Sequence, residues 1–212
     1  MIHIKKGTEP PSLIKHKQQI GANFDNAPKD DIRVALLKEQ GLLCAYCMGR
    51  IRVDKMKIEH WLPQNPYEEL SLDYRNMLGV CLGHIDLKNE ASETTCDTHK
   101  GNSLIKVNPL QERTVEKIKY DERTGRIYSE NEEINRDLEQ TLNLNAKLLQ
   151  KNRKDVLEIC KKRLYKEMKD GTWTQSLLKS EFQKYSTTNA NGEKIPYSGI
   201  VLWYLKKRIA KG

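Results

Sequence analysis

The sequence predicts a mostly helical α+β fold, in which a small cysteine-bearing module precedes a β-hairpin and a helical C-terminal region. Three observations carry this expectation. Within residues 145–169, apolar residues fall at 148, 149, 156, 159, 160, 164 and 168, close to the 3.6-residue period of an amphipathic helix. The runs 115–120 and 126–128 flank Asp121-Glu122-Arg123-Thr124-Gly125, which reads as a hairpin with glycine in its turn. Cys44-Ala45-Tyr46-Cys47 has the spacing at which one knuckle offers two thiolates to a tetrahedral ion.

The chain has 212 residues, room for one domain or a small domain with a helical extension, and enough to bury a core without disulfides. Residues 4–23 are polar and contain Pro10-Pro11, so residues 1–28 are expected to form an extended arm. A first helix is expected from Asp30 or Asp31, either of which suits the N-cap. Ile32, Leu36 and Leu37 share its face, and Gly41 suits a left-handed C-terminal residue. Residues 42–62 suggest short strands around a tight turn. Residues 63–95 read as loop, punctuated by Pro63, Asn65-Pro66, Gly79 and Gly83, and 85–95 is polar without a period. A short helix starts at Cys96-Asp97. Asn108-Pro109 marks a change of composition, so the expected units are the arm 1–28, the cysteine module 29–108, and the hairpin and helices of 109–212. Further helices are expected over 174–185 and 198–210.

Charged residues make up 31% of the chain, against about 25% in ordinary domains. The longest strongly apolar run, Ile200-Val201-Leu202-Trp203-Tyr204-Leu205, is far short of the roughly 20 residues of a membrane span. No apolar stretch follows the first basic residues, so no signal peptide is expected and the expected location is cytoplasmic, with no membrane partner. Net charge is +8, unevenly placed: residues 151–212 hold 15 Lys and Arg against 6 Asp and Glu, whereas residues 1–150 hold 22 against 23. A localised positive field suits nucleic acid or an acidic protein face, and equally a solvated helix. Within 196–210, Leu202, Trp203 and Leu205 precede Lys206-Lys207-Arg208, which reads either as a docking surface or as the lid of the core.

Five cysteines sit at 44, 47, 81, 96 and 160. In a cytoplasmic chain they point to metal rather than to disulfides. Cys160 stands alone in a helical stretch and reads as a buried apolar residue. Cys44 and Cys47 form half of a zinc site. Cys81 and Cys96 are separated by 14 residues, so the fold must bring the closing pair together, and His84 and His99 are substitutes. Between the cysteine elements lies Ile58-Glu59-His60-Trp61-Leu62-Pro63. A carboxylate there can bind a hard cation such as magnesium, and the imidazole beside it can take a proton from water near neutral pH. Asn76 follows in Asp73-Tyr74-Arg75-Asn76, and the last cysteine runs into Asp97-Thr98-His99-Lys100-Gly101-Asn102.

This arrangement resembles the HNH, or ββα-metal, nuclease superfamily. The resemblance implies that Glu59 and Asp97 hold a catalytic Mg²⁺ or Mn²⁺, with His99 the rival of Asp97. It makes His60 the general base, Asn76 the loop asparagine that braces the site, and Lys100 the lysine at the substrate phosphate. Cys44, Cys47, Cys81 and Cys96 would hold a structural Zn²⁺. The insertion of 82–95 departs from the pattern. A narrower resemblance, to the PtuB-type HNH nucleases of Septu and some retron anti-phage systems, rests on Ile4-Lys5-Lys6-Gly7-Thr8-Glu9-Pro10-Pro11 with the motifs above, and covers residues 1–108. It implies an endonuclease acting on DNA or tRNA beside a PtuA-like ABC/SMC-type ATPase, and in a retron setting beside a reverse transcriptase and its msDNA. The other readings are a non-catalytic zinc-ribbon module that binds nucleic acid or a partner, and an HNH nuclease of a restriction system.

Overall fold

A computed structural model describes residues 1–85, 93–168 and 171–211 of the chain. The fold is mixed α+β and mostly helical, with small two-stranded sheets. Buried apolar side chains from residues 1–28, 29–108 and 109–212 belong to one cluster, running from Met1 to Leu205. No helix among the described residues is long and apolar enough to cross a membrane.

The N-terminal stretch is not the extended arm expected. It forms helix α1 (Pro11–Lys17), with proline at the first helical position, where its missing N–H costs nothing. The segment before α1 is tied down from a distance. Lys6 Nζ donates to Glu39 Oε1 (2.7 Å) and to Met77 O (2.9 Å), and sits 3.7 Å above the Tyr74 ring. Gly7 N and Tyr74 OH both donate to Glu39 Oε2. Polar composition thus served docking rather than solvation.

Helix α2 (Lys29–Gln40) ends as expected on Gly41, at φ 64°. Its N-cap is Pro28 and not an aspartate; Asp30 and Asp31 lie in the first turn, where they oppose the positive end of the helix dipole. Two strands follow, β1 (Lys57–His60) and β2 (Met77–Val80), paired antiparallel with Glu59 opposite Leu78 and His60 opposite Met77. Strand β2 and two short 3₁₀ turns lie inside the stretch expected as loop. All four β2 residues are buried, so it lacks the alternation that marks a half-exposed strand. Gln40 stitches α2 to this sheet, with Nε2 donating to Leu43 O and Gly79 O, and Oε1 accepting from Gly79 N, each at 2.7 Å.

The insertion is closed by β3 (His84–Ile85) and β4 (Glu93–Thr94), paired antiparallel. Residues 86–92 of the unpatterned stretch, and the side chains of His84 and Ile85, lie outside the described residues. Thr95 N donates to Gly83 O (2.8 Å) at the base of this pair. Gly83 adopts φ 70°, and a Cβ there would sit 2.4 Å from Thr95 O, so only glycine permits the closure that returns Cys96 to Cys81. Helix α3 (Cys96–Lys100) follows at once.

Beyond the short helix α4 (Glu112–Val115), the expected hairpin is present as β5 (Ile118–Tyr120) and β6 (Ile127–Ser129). Helix α5 (Glu132–Arg136) runs into a π-helical segment, Asp137–Thr141. Helices α6 (Lys147–Lys166), α7 (Gln175–Ser186) and α8 (Gly199–Ile209) stand where helices are expected, but the buried face of α6 is Leu149, Arg153, Leu157, Cys160 and Leu164, whereas Leu148, Ile159 and Met168 of the expected apolar face are exposed. Cys160 is buried in α6 as expected. In α8, Ile200, Val201, Tyr204 and Leu205 are buried, which favours the reading of this segment as the lid of the core. Its cations face acids: Lys206 approaches Glu116 (3.5 Å), and Lys207 and Arg208 approach Glu122 (3.9 Å each). Part of the C-terminal positive excess is therefore spent inside the molecule.

Candidate active site and thiol cluster

The knuckle turn is built by backbone bonds: Cys44 N to Gly49 O (2.9 Å), Met48 N to Cys44 O (3.0 Å), and Gly49 N to Cys47 Sγ (3.4 Å). Cys81 directly follows strand β2, and Cys96 opens α3. Cys44 and Cys96 Sγ are 3.9 Å apart, Cys47 and Cys81 Sγ 3.8 Å, and all four sulfurs lie within 4.8 Å of one another. Zinc–sulfur bonds of about 2.3 Å in a tetrahedron separate sulfurs by about 3.8 Å. The four thiols therefore fit zinc, in a closed set with no position left for chemistry. The C-terminal region covers the knuckle: Tyr197 N donates to Met48 O (3.0 Å), and Arg50 Nη2 to Lys194 O (2.6 Å).

Beside the cluster, β1 and α3 wall a cleft of about 550 Å³, lined by Lys57, Glu59, His60, Gln64, Asp97 and Lys100 among others. Glu59 turns to Tyr46, whose OH donates to Glu59 Oε1 (2.9 Å), and to Lys100 Nζ, at 2.9 Å from the same oxygen. Burial, with the Asp97 carboxyl lying against it, pushes the Glu59 carboxyl up to about 8, in spite of Lys100. Burial and the Glu59 charge push the Tyr46 phenol well above its usual range, so its O–H remains a donor.

His60, the last residue of β1, lines the same cleft. Its Nε2 lies 2.8 Å from Ser71 O, so Nε2 carries the proton and Nδ1 is the free lone pair. Nδ1 accepts from Gln64 Nε2 (3.1 Å), and the Phe24 ring stands edge-on at 4.5 Å between centroids. Burial lowers the His60 pKa, which keeps the ring neutral. Asn76 is placed behind the strand. Its Oδ1 accepts from Leu62 N (2.8 Å) and its Nδ2 donates to Leu62 O (2.9 Å), a two-bond clamp on the chain leaving His60.

In α3, Asp97 and Lys100 are three residues apart and share a face. Lys57 Nζ reaches Asp97 Oδ2 (3.2 Å) and Thr98 Oγ1 (2.7 Å). His99 lies about 200° round the helix from Asp97, with Nδ1 at 2.9 Å from Thr94 Oγ1 and outside the cleft. The Lys100 ammonium is turned inward onto Glu59, its side chain 1% exposed. Sequence reasoning missed Tyr46, Phe24, Gln64, Ser71 and Lys57. Only Tyr46 carried a signal, as an aromatic inside the cysteine knuckle.

Fold and site together define a mostly helical α+β protein with a four-cysteine cluster suited to zinc beside a cleft bearing two carboxyls and a histidine. No protein-family model matches the chain. Over 123 residues it is 29% identical to the Septu protein PtuB of Bacillus thuringiensis. That match covers 55% of this chain and 43% of the relative, so the chain matches less than half of PtuB's length.

Proposed function

We propose that the chain is a metal-dependent HNH-type endonuclease that hydrolyses phosphodiester bonds of nucleic acid, and that it serves a Septu-type anti-phage system beside a PtuA-like ATPase. One observation carries the reading. The cleft joins the neutral, tautomer-fixed His60 with the hard-oxygen pair Glu59 and Asp97, on a strand–strand–helix unit braced by the thiol cluster. The similarity to PtuB supports the defence context and the ATPase partner.

Two adjacent carboxyls are a fitting donor set for Mg²⁺ or Mn²⁺. Such an ion, when bound, neutralises charge at the scissile phosphate and on the leaving oxygen. His60 Nδ1 takes the proton of the attacking water, while Ser71 O holds the ring in the tautomer that makes this nitrogen the base. Gln64 gives up its bond to Nδ1 when water takes its place. Asn76 fixes the backbone after His60, and Lys57 steadies Asp97.

A non-catalytic zinc-ribbon module is the second reading. It draws on the near-complete burial of Glu59 and Lys100 as partners of one another. Incubation of plasmid DNA and total RNA with Mg²⁺ or Mn²⁺, alone and with a co-expressed ATPase, separates the two. Cleavage that falls about 10²- to 10⁴-fold in His60→Ala, with folding retained, is expected of the nuclease. Equal products from both proteins, or none from either, leave the binding module.

A further inference from the structure

Tyr46 stands at a junction that the chemistry above does not use. It is one of the two residues between Cys44 and Cys47, so its backbone position is set by two of the four clustered thiols. Ala45 N anchors the same turn to β2, through Gly79 O at 3.0 Å. From this anchored turn the Tyr46 ring runs inward, fully buried, and its OH ends on Glu59 Oε1. Phenylalanine would fill nearly the same volume. The hydroxyl adds one thing only, a second donor to an oxygen that Lys100 already holds. Donor hydrogens favour the plane of the carboxyl, so a second donor on the same oxygen narrows its rotation as well as its position.

We propose that Tyr46 is a positioning residue, which holds the Glu59 carboxyl in the orientation that receives a hard divalent cation and makes that orientation depend on the four-thiol cluster. This rests on the reading of Glu59 and Asp97 as ligands of the divalent ion. Partners of a ligand are worth roughly 10- to 100-fold in metal affinity when removed. The cluster thereby acts on the cleft through a single hydrogen bond, beyond its part in holding the fold together.

The test uses the full chain with its zinc, and Mn²⁺ as the probe, titrated by electron paramagnetic resonance. Zinc content and thermal melting are recorded for each variant. Wild type is expected to bind Mn²⁺ and Glu59→Gln to lose it. Tyr46→Phe is expected to bind about 10-fold or more weakly, with zinc content and melting unchanged. Tyr46→Phe that binds Mn²⁺ as wild type does, while Glu59→Gln does not, overturns the role of Tyr46 and leaves the carboxyl site standing. If Glu59→Gln binds Mn²⁺ undiminished, the carboxyl site itself is wrong and the role of Tyr46 falls with it. Should Tyr46→Phe lose zinc, the wild-type chain decides through ¹³C-labelled tyrosine. The Tyr46 ring-carbon resonance is expected to move on Mg²⁺ addition, and a resonance that stays fixed overturns the proposal.

Discussion

The Lys100 ammonium lies 2.9 Å from Glu59 Oε1, with the two side chains 1% and 6% exposed. Glu59 also abuts Asp97, and burial together with that neighbour raises the Glu59 carboxyl in spite of Lys100. Asp97 is in turn paired with the half-exposed Lys57. The cleft floor is therefore one connected charged network, with its most desolvated contact between Glu59 and Lys100.

Removing Lys100 unbalances that network. Lys100→Ala is expected to destabilise the fold by roughly 2–4 kcal/mol, below the roughly 3–5 kcal/mol of a broken buried pair because the raised Glu59 carboxyl already holds its proton near neutral pH. Lys57→Ala removes the other cation near Asp97, but that side chain is 40% exposed and its pair is worth under about 1 kcal/mol. Urea denaturation of the two variants distinguishes them. Equal losses would show that the Lys100–Glu59 pair is no more desolvated than a surface bridge.

Divalent-ion binding must expel the proton held by the Glu59 carboxyl. With the Glu59 carboxyl at about 8, Mn²⁺ affinity is expected to rise about tenfold per pH unit below that value and to level off above it. Stability of the metal-free chain runs the opposite way. The raised carboxyl stabilises the fold below its ordinary 4.5, and the contribution is lost as pH climbs through about 8. His60 has the reverse sign: its lowered pKa costs stability as pH falls below the ordinary 6.5. Metal titrations and urea melts across this range check both slopes, and Glu59→Gln should flatten the alkaline one.

The parts legible in the sequence were those written in local pattern. Gly41 ended α2, the knuckle spacing marked Cys44 and Cys47, and the 3.6-residue period gave α6. The parts that were not legible depend on distant partners. Strand β2, buried on both faces, shows no alternation, and its short Met77-Leu78-Gly79-Val80 run sits among turn residues. The N-terminal stretch looked solvated because its partner for Lys6, Glu39, is 33 residues away. At the site, the chemistry-bearing side chains were read from motif, whereas the groups that orient them come from three other segments: Phe24 from before α2, Ser71 from a 3₁₀ turn, and Tyr46 from the knuckle. Their positions are products of tertiary packing.

Elemental analysis is expected to find about one zinc per chain. Cys44→Ser should give unfolded or insoluble protein, because it breaks the four-thiol set that ties the knuckle to Cys81 and Cys96. Cys160→Ser should keep the zinc and cost about 1 kcal/mol, since the buried thiol lies outside the cluster and its replacement places a hydroxyl there. Cys44→Ser protein that folds with full zinc content would remove the cluster's structural role.

Asp97 and His99 competed as the last ligand of the divalent ion, and their places in α3 separate them. Asp97 abuts Glu59 and faces the cleft, whereas His99 turns toward Thr94. Asp97→Ala is expected to weaken Mn²⁺ binding roughly 10- to 100-fold and to lower cleavage with it, with partial recovery at high Mn²⁺. It also frees Lys57, whose exposed bond to Asp97 is worth little, so folding should hold. His99→Ala should leave metal affinity within about twofold and shift stability by no more than about 0.5 kcal/mol, as for an ordinary surface substitution. Mn²⁺ titration of the pair gives the answer independently of any substrate. Loss of binding in His99→Ala with binding retained in Asp97→Ala would place the ion on the other side of α3, and would require that helix to rotate about its axis when metal enters.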